Sequence, residues 1–150
     1  MQGKIKPQSR LAARENTSMP SFDLTVVYRR IDALKPDPAN PRLHSKKQIR
    51  QIAHSIETFG FNVPVLVDAD LKVIAGHGRL LACGELGITE VPTLRLDHLN
   101  PAQARAFMIA DNRLTEIASW DDQLLAEQLK DLSLLGLDFT FWGHFLSLPP

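Results

Sequence analysis

Cysteine is nearly missing from this chain: Cys83 is the one thiol in 150 residues. That excludes an internal disulfide and any zinc cluster built on thiolates. Long apolar runs are missing too, since nothing approaches the ~18 consecutive apolar residues of a membrane span. The first residues are polar and basic without an apolar signal-peptide core, so the expected location is a reducing cytoplasm with no membrane partner. The five histidines include no H-E-x-x-H and no pair three or four residues apart, which removes the common zinc-hydrolase pattern. Aromatics are 7% of the chain and do not interleave with Lys and Arg as on single-strand-binding platforms. Trp120 and Trp142 read as packing residues.

Net charge is zero but unevenly spread. Residues 1–50 hold eleven Lys/Arg against four Asp/Glu, and residues 51–150 hold six against thirteen. A basic leading third can meet nucleic-acid phosphate; it can equally be a solvated leader followed by a charged helix face. A hydrophobic content of 44% is enough for one domain with a core.

Residues 1–21 are expected to form a mobile basic leader, residues 22–138 the domain, and residues 139–150 an atypical tail. Within the domain, Thr25 to Ile31 is β-branched and aromatic enough for a first strand. Three prolines between Leu34 and Arg42 then impose an extended loop that fixes the directions of Asn40 and Arg42. Ser45 and Gln48 form a capping-box pattern, and Ile49, Ile52, Ala53, Ile56 and Phe59 follow at helical spacing. Gly60 is expected to cap this helix in a left-handed conformation. Val65 to Val67 and Lys72 to Ala75 read as strands joined by an Asp68-to-Asp70 turn, and a helix after Gly76 ends near Gly87. Val91 to Leu96 is a further strand, with Pro92 placing it at an edge or in its first residues. Asn100-Pro101 with Gln103 starts a helix running to Ile117. A last helix, capped between Ser119 and Asp122, carries Leu125, Leu129 and Leu132 on one stripe and stops at Gly136. This order predicts a compact α/β (α+β) domain with a small mixed sheet, flanking helices and a C-terminal helical extension.

Three short segments carry possible chemistry. Gly76-His77-Gly78-Arg79 joins a strand to a helix N-terminus, where free N–H groups attract anions, glycines admit close approach, and an arginine fork suits phosphate. It also reads as a plain turn, with Arg79 paired to a surface acid. Ala110-Asp111-Asn112-Arg113 offers a hard oxygen ligand for magnesium, an amide and a phosphate partner, or simply a solvated helix face. Asn40-Pro41-Arg42 with His44 reads as a ligand-closing loop or as an ordinary turn. His77 is either an acid–base group or a polar residue in an exposed turn. Cys83 reads as a small buried thiol.

Taken in order, these segments resemble a family. The ordered set is the Asn-Pro-Arg loop, the helix ending Ser55-Ile56-Glu57-Thr58-Phe59-Gly60-Phe61, Pro64-Val65-Leu66-Val67, Ile74-Ala75-Gly76-His77-Gly78-Arg79, Leu86-Gly87-Ile88-Thr89-Glu90-Val91-Pro92, and Ile109-Ala110-Asp111-Asn112. It is similar to the N-terminal domain of ParB-type partition proteins, in the ParB/sulfiredoxin superfamily. A closer likeness is to the ParB-like domain that begins certain phage- and plasmid-type DNA modification methylases. There Ala-Gly-His-Gly-Arg and Ala-Asp-Asn-Arg-Leu are typical, as is a following Trp-Asp like Trp120-Asp121. The resemblance runs from residue 24 to residue 138.

This resemblance implies a nucleoside triphosphate site, with CTP and magnesium as the family's ligands. By position it assigns phosphate contacts to Arg42, Gly76, His77, Gly78 and Arg79, and to Asp111, Asn112 and Arg113. Asp111 is the implied magnesium ligand, Asp111 and His77 are the catalytic candidates, and Gly60 to Pro64 lies where the base sits. The sequence departs from the partition proteins at His77 and Gly78, which replace Glu and Arg, and at Thr115, where they carry arginine. A sulfiredoxin carries its catalytic cysteine where His77 stands, so that activity is not expected. The implied function is a nucleotide-binding module acting with DNA in partition, regulation or modification, with slow triphosphate hydrolysis as its enzymatic option. Its implied partners are DNA, a second copy or a DNA methylase. Two alternatives stand beside it: a ParB-like DNA nuclease, and a non-catalytic interaction domain related to a methylase. No Asp-Pro-Pro-Tyr-like methylase motif occurs in the chain.

Overall fold

A computed structural model describes residues 22–137. The expected leader (residues 1–21) and tail (residues 139–150) lie outside the described residues. Four strands, β1 (Val26–Arg30), β2 (Val65–Val67), β3 (Val73–Ala75) and β4 (Glu90–Arg95), form one sheet in the order β1-β4-β2-β3. The β1–β4 and β2–β3 pairs are antiparallel and β2–β4 is parallel, so the sheet is mixed as expected. Four helices accompany it: α1 (Lys46–Phe59), α2 (His77–Leu86), α3 (Pro101–Glu116) and α4 (Asp122–Leu134).

Apolar residues on both faces of the short strands explain the layers. Val65, Val67, Val73 and Val91 are buried with Leu34 and Cys83 in one cluster, joined by Leu80 of α2. Ile74 and Leu96 are buried with Ala104 and Met108 of α3 in another, with Leu66 packed against it. Along β2, Val65 and Val67 therefore face one layer and Leu66 the other, as a two-residue period requires.

Several expectations change in detail. The first strand ends at Arg30, and Ile31–Ala33 form a 3₁₀ turn that the sequence reading did not anticipate. Of the two places expected for Pro92, the first residues of a strand hold and an edge strand does not: it is third in β4, an internal strand, and the register shows why it is tolerated. Ile31 N–H donates to Thr89 O, which makes Ile31/Thr89 a hydrogen-bonded pair. Counting back in twos, Arg29/Val91 is another, so Tyr28/Pro92 is not. The Pro92 nitrogen thus points away from β1, and β2 begins pairing one residue later, at Thr93. Gly60 has a positive φ of 88° but an extended ψ of 171°, outside the left-handed helical basin expected for it.

Helix starts follow the expected chemistry. Asn100 and Gln103 complete a reciprocal capping box, and Asp121 caps α4 by accepting from Leu124 N–H. At α1, Ser45 accepts from Gln48 N–H, but the Gln48 side chain turns to His44 instead of closing the box. The proline loop is tied to the sheet: Lys35 N–H donates to Leu71 O at 2.9 Å and Lys35 O accepts from Val73 N–H at 2.8 Å. This tether carries residues 37–44 to the start of α2.

Candidate functional site

A cavity of about 460 Å³ opens where the proline loop, α1, α2 and α3 meet. Its size falls within the usual ~300–1,000 Å³ of ligand pockets. The floor is the N-terminus of α2. Gly76 caps this helix with φ 107°, a left-handed conformation that glycine adopts without steric cost, and no side chain caps the turn. The first intrahelical bond runs from Leu80 N–H to Gly76 O, which leaves the N–H groups of His77, Gly78 and Arg79 outside the helical ladder. A turn built this way favours anions.

Arg79 reaches back from that turn. Its Nη2 donates to Pro64 O at 3.0 Å, while its Nε is buried without a partner. Burial presses the guanidinium below its ordinary pKa; Asp111 opposes this, and Arg42 adds to the depression. A half-buried cation with an unmet donor is the kind of group an anionic ligand completes.

The opposite wall comes from the loop and α3. Asp37 Oδ1 accepts from Ala39 N–H, and Asn40 Oδ1 accepts from Arg42 N–H, so two side-chain turns hold the loop shape. Arg42 Nη1 then donates to Asn112 Oδ1 at 3.1 Å, bridging loop to helix across seventy residues of sequence. His77 sits between these walls. Its Nε2 accepts from Asp37 N–H at 3.4 Å, which leaves the ring proton on Nδ1. Burial pulls the His77 pKa down, Asp37 pushes it up, and His44 pulls it down further.

Arg42, Gly76, His77, Gly78, Arg79 and Asn112 thus line one cavity, as do Gly60, Phe61, Asn62 and Val63, where the base was expected. Asp111 and Arg113 do not line it. Asp111 is exposed and acts on Arg79 through charge, while Arg113 turns outward to Glu116 Oε2 at 3.2 Å. The sequence reading missed the wall supplied by α1, where Gln48, Ile52, Ser55, Ile56 and Phe59 face the cavity. Ile52, Ile56 and Phe59 belong to the apolar stripe that the helical spacing revealed, but the spacing alone did not say that the stripe faces a cavity. Cys83 is fully buried, and burial raises its thiol pKa, as expected of an inert core thiol. Among the described residues, no three His, Cys, Asp or Glu side chains group as metal ligands, and no helix is long and apolar enough to cross a membrane.

Residues 17–119 match the family model of the ParB N-terminal domain. The ParB-like nuclease domain-containing protein YnaK of Escherichia coli (strain K12) is 41% identical over 83 residues, covering 55% of this chain and 95% of the relative. A probable chromosome-partitioning protein ParB of Rickettsia bellii is 29% identical over 98 residues, covering 65% of this chain and 33% of that protein. The C-terminally truncated chromosome-partitioning protein ParB from Caulobacter crescentus, complexed with CTP-γ-S, matches with a TM-score of 0.59 at 23% identity, over 71% of this chain and 60% of that one. That likeness establishes the fold. The chain spans a third of the Rickettsia protein and less than two thirds of the Caulobacter one.

Proposed function

We propose, from the premise that the chain belongs to the ParB N-terminal domain family, that its cavity binds a nucleoside triphosphate. The observation that carries this reading is Arg79, held half-buried at a helix N-terminus that no side chain caps, with Nε unpartnered. Phosphate oxygens satisfy that donor together with the free N–H groups of the turn. Arg42, already bridged to Asn112, closes over the phosphates from the loop side. The base lies against Gly60 to Val63 and Phe59. The CTP-γ-S complex of the Caulobacter protein supports CTP as the first nucleotide to test.

Magnesium fits as an ion brought by the phosphates. The described residues hold no ligand cluster, and Asp111, the carboxylate expected to meet the ion, stands outside the cavity lining, so phosphate oxygens and water are its main ligands. Binding is the primary event in this reading, and its output is self-association or DNA engagement, in partition, regulation or DNA modification. The nuclease alternative has the name of the Escherichia coli relative behind it. Among the described residues no carboxylate site matches it, because Glu116 pairs with Arg113 rather than joining Asp111.

Calorimetric titration of the full chain with CTP, ATP, GTP and UTP, each with and without magnesium, tests the reading. Saturable heat from at least one of them supports it, and silence from all four refutes it. Sedimentation with and without that nucleotide then reports self-association; a co-purifying DNA methylase would assign the modification setting.

A further inference from the structure

Gly78 shows that a second imidazole belongs to this site. A Cβ at that position would lie 2.9 Å from His44 Cε1 and 3.1 Å from His44 Nδ1, so the His44 ring occupies the space of a side chain on the first turn of α2. Gly78 is itself buried. Ile52 Cδ1 closes the same space from α1, 3.0 Å from that Cβ. The ring is also aimed. His44 Nδ1 lies 3.1 Å from Gln48 Oε1, an acceptor that places a proton on Nδ1. To hold it, Gln48 forgoes the reciprocal half of the α1 capping box, which Gln103 completes at α3. Nε2 is then the nitrogen left for a ligand, in a cavity that His44 lines together with Arg42, Gly76, Arg79 and Asn112.

We propose that His44 binds the phosphate chain through Nε2, taking up a proton as it does so and linking nucleotide affinity to pH. The inference rests on the nucleotide reading above. The charges around it favour this division of labour. His77 of α2 accepts from Asp37 N–H at Nε2, so that nitrogen is already engaged and the Nε2 of His44 is the one open to a ligand. The Asp37 carboxylate is engaged by Lys72 at 3.5 Å. Arg42 of the loop and Arg79 of α2 are the cations on the two sides of the cavity, and Asp111 of α3 acts on Arg79. A triphosphate adds several negative charges among these groups, and an imidazolium beside it gains a charge-assisted hydrogen bond.

The experiment is calorimetry of the full chain with CTP and magnesium, and with the other three triphosphates, at pH 7 in two buffers of different protonation enthalpy. Wild type is expected to take up part of a proton on binding and to bind more tightly at pH 6 than at pH 8. His44→Gln should lose that uptake and bind about tenfold to a hundredfold more weakly. Gly78→Ala, which displaces the ring without removing it, should lose both as well, whereas His77→Gln should retain the uptake. Titration of the nucleotide's own phosphate is common to every variant and cancels in the comparison. Wild-type proton uptake and affinity in His44→Gln would overturn the inference and leave the nucleotide reading standing. No heat from any triphosphate with wild type overturns both.

Discussion

Arg79→Met removes a guanidinium that the folded protein holds at a cost. In the free state Arg79 has one hydrogen bond, from Nη2 to Pro64 O, and a buried Nε with none. Losing the bond costs about 1 kcal/mol. Burial disfavours the charged form, so removing the charge offsets part of that loss, and methionine keeps the packed stem. The free protein is therefore expected to stay within ~1 kcal/mol of wild type. Binding is different. If the guanidinium meets phosphate through two charge-assisted bonds, their loss costs about 3 kcal/mol, or roughly a hundredfold in Kd. Urea denaturation of the free chain and calorimetric titration with nucleotide measure the two quantities separately. A change of less than about threefold in Kd, or a loss of free-state stability above ~3 kcal/mol, would overturn this role for Arg79. The first outcome means that Arg79 does not hold phosphate, and the second that it is a structural residue.

Gly76→Ala should destabilise the free protein by about 1–3 kcal/mol in urea denaturation, because φ is +107° and the new Cβ meets Val65 Cγ2 at 3.2 Å and Arg79 Nη2 at 3.1 Å. Asn100→Ala breaks the reciprocal capping box of α3 and should cost about 1 kcal/mol by the same measurement. His77 gives a pH signature of definite sign. Its folded-state pKa lies below the ordinary 6.5, so the unfolded chain binds more protons there and stability falls as pH drops below that value. Melting temperatures from pH 8 to pH 5 should decline less steeply for His77→Gln than for wild type; parallel curves would count against the burial of the ring.

Much of the fold was legible because its signals are local. Ser45, Asn100 and Asp121 cap helices through their own side chains, and Gly76 opens α2 as its place between strand and helix required. The half-buried Leu125, Leu129 and Leu132 of α4 follow the stripe expected of them. Other features depend on partners distant in sequence. Ile52, Ile56 and Phe59 show the spacing of a core face yet line the cavity, because periodicity reports which side of a helix is apolar and not what covers it. Pro92 could not be placed from the strand alone, since the direction of its nitrogen matters only once the lengths of both neighbours are fixed. Arg113 carries the same charge as Arg42 and Arg79, but it lies on the outer side of α3, where Glu116 one turn later takes it.

By itself, then, the sequence determined the chain's local vocabulary: a strand-to-helix turn able to receive an anion, a proline-stiffened loop ending in arginine, and a polar step late in α3. These follow from backbone sterics and short-range hydrogen bonding, which act within a few residues. Tertiary structure decided that the three form one site. The sheet edge that anchors Lys35 brings Arg42 to Asn112 and His44 onto Gly78. Those contacts arise from packing between segments far apart in the chain, and no local pattern encodes them.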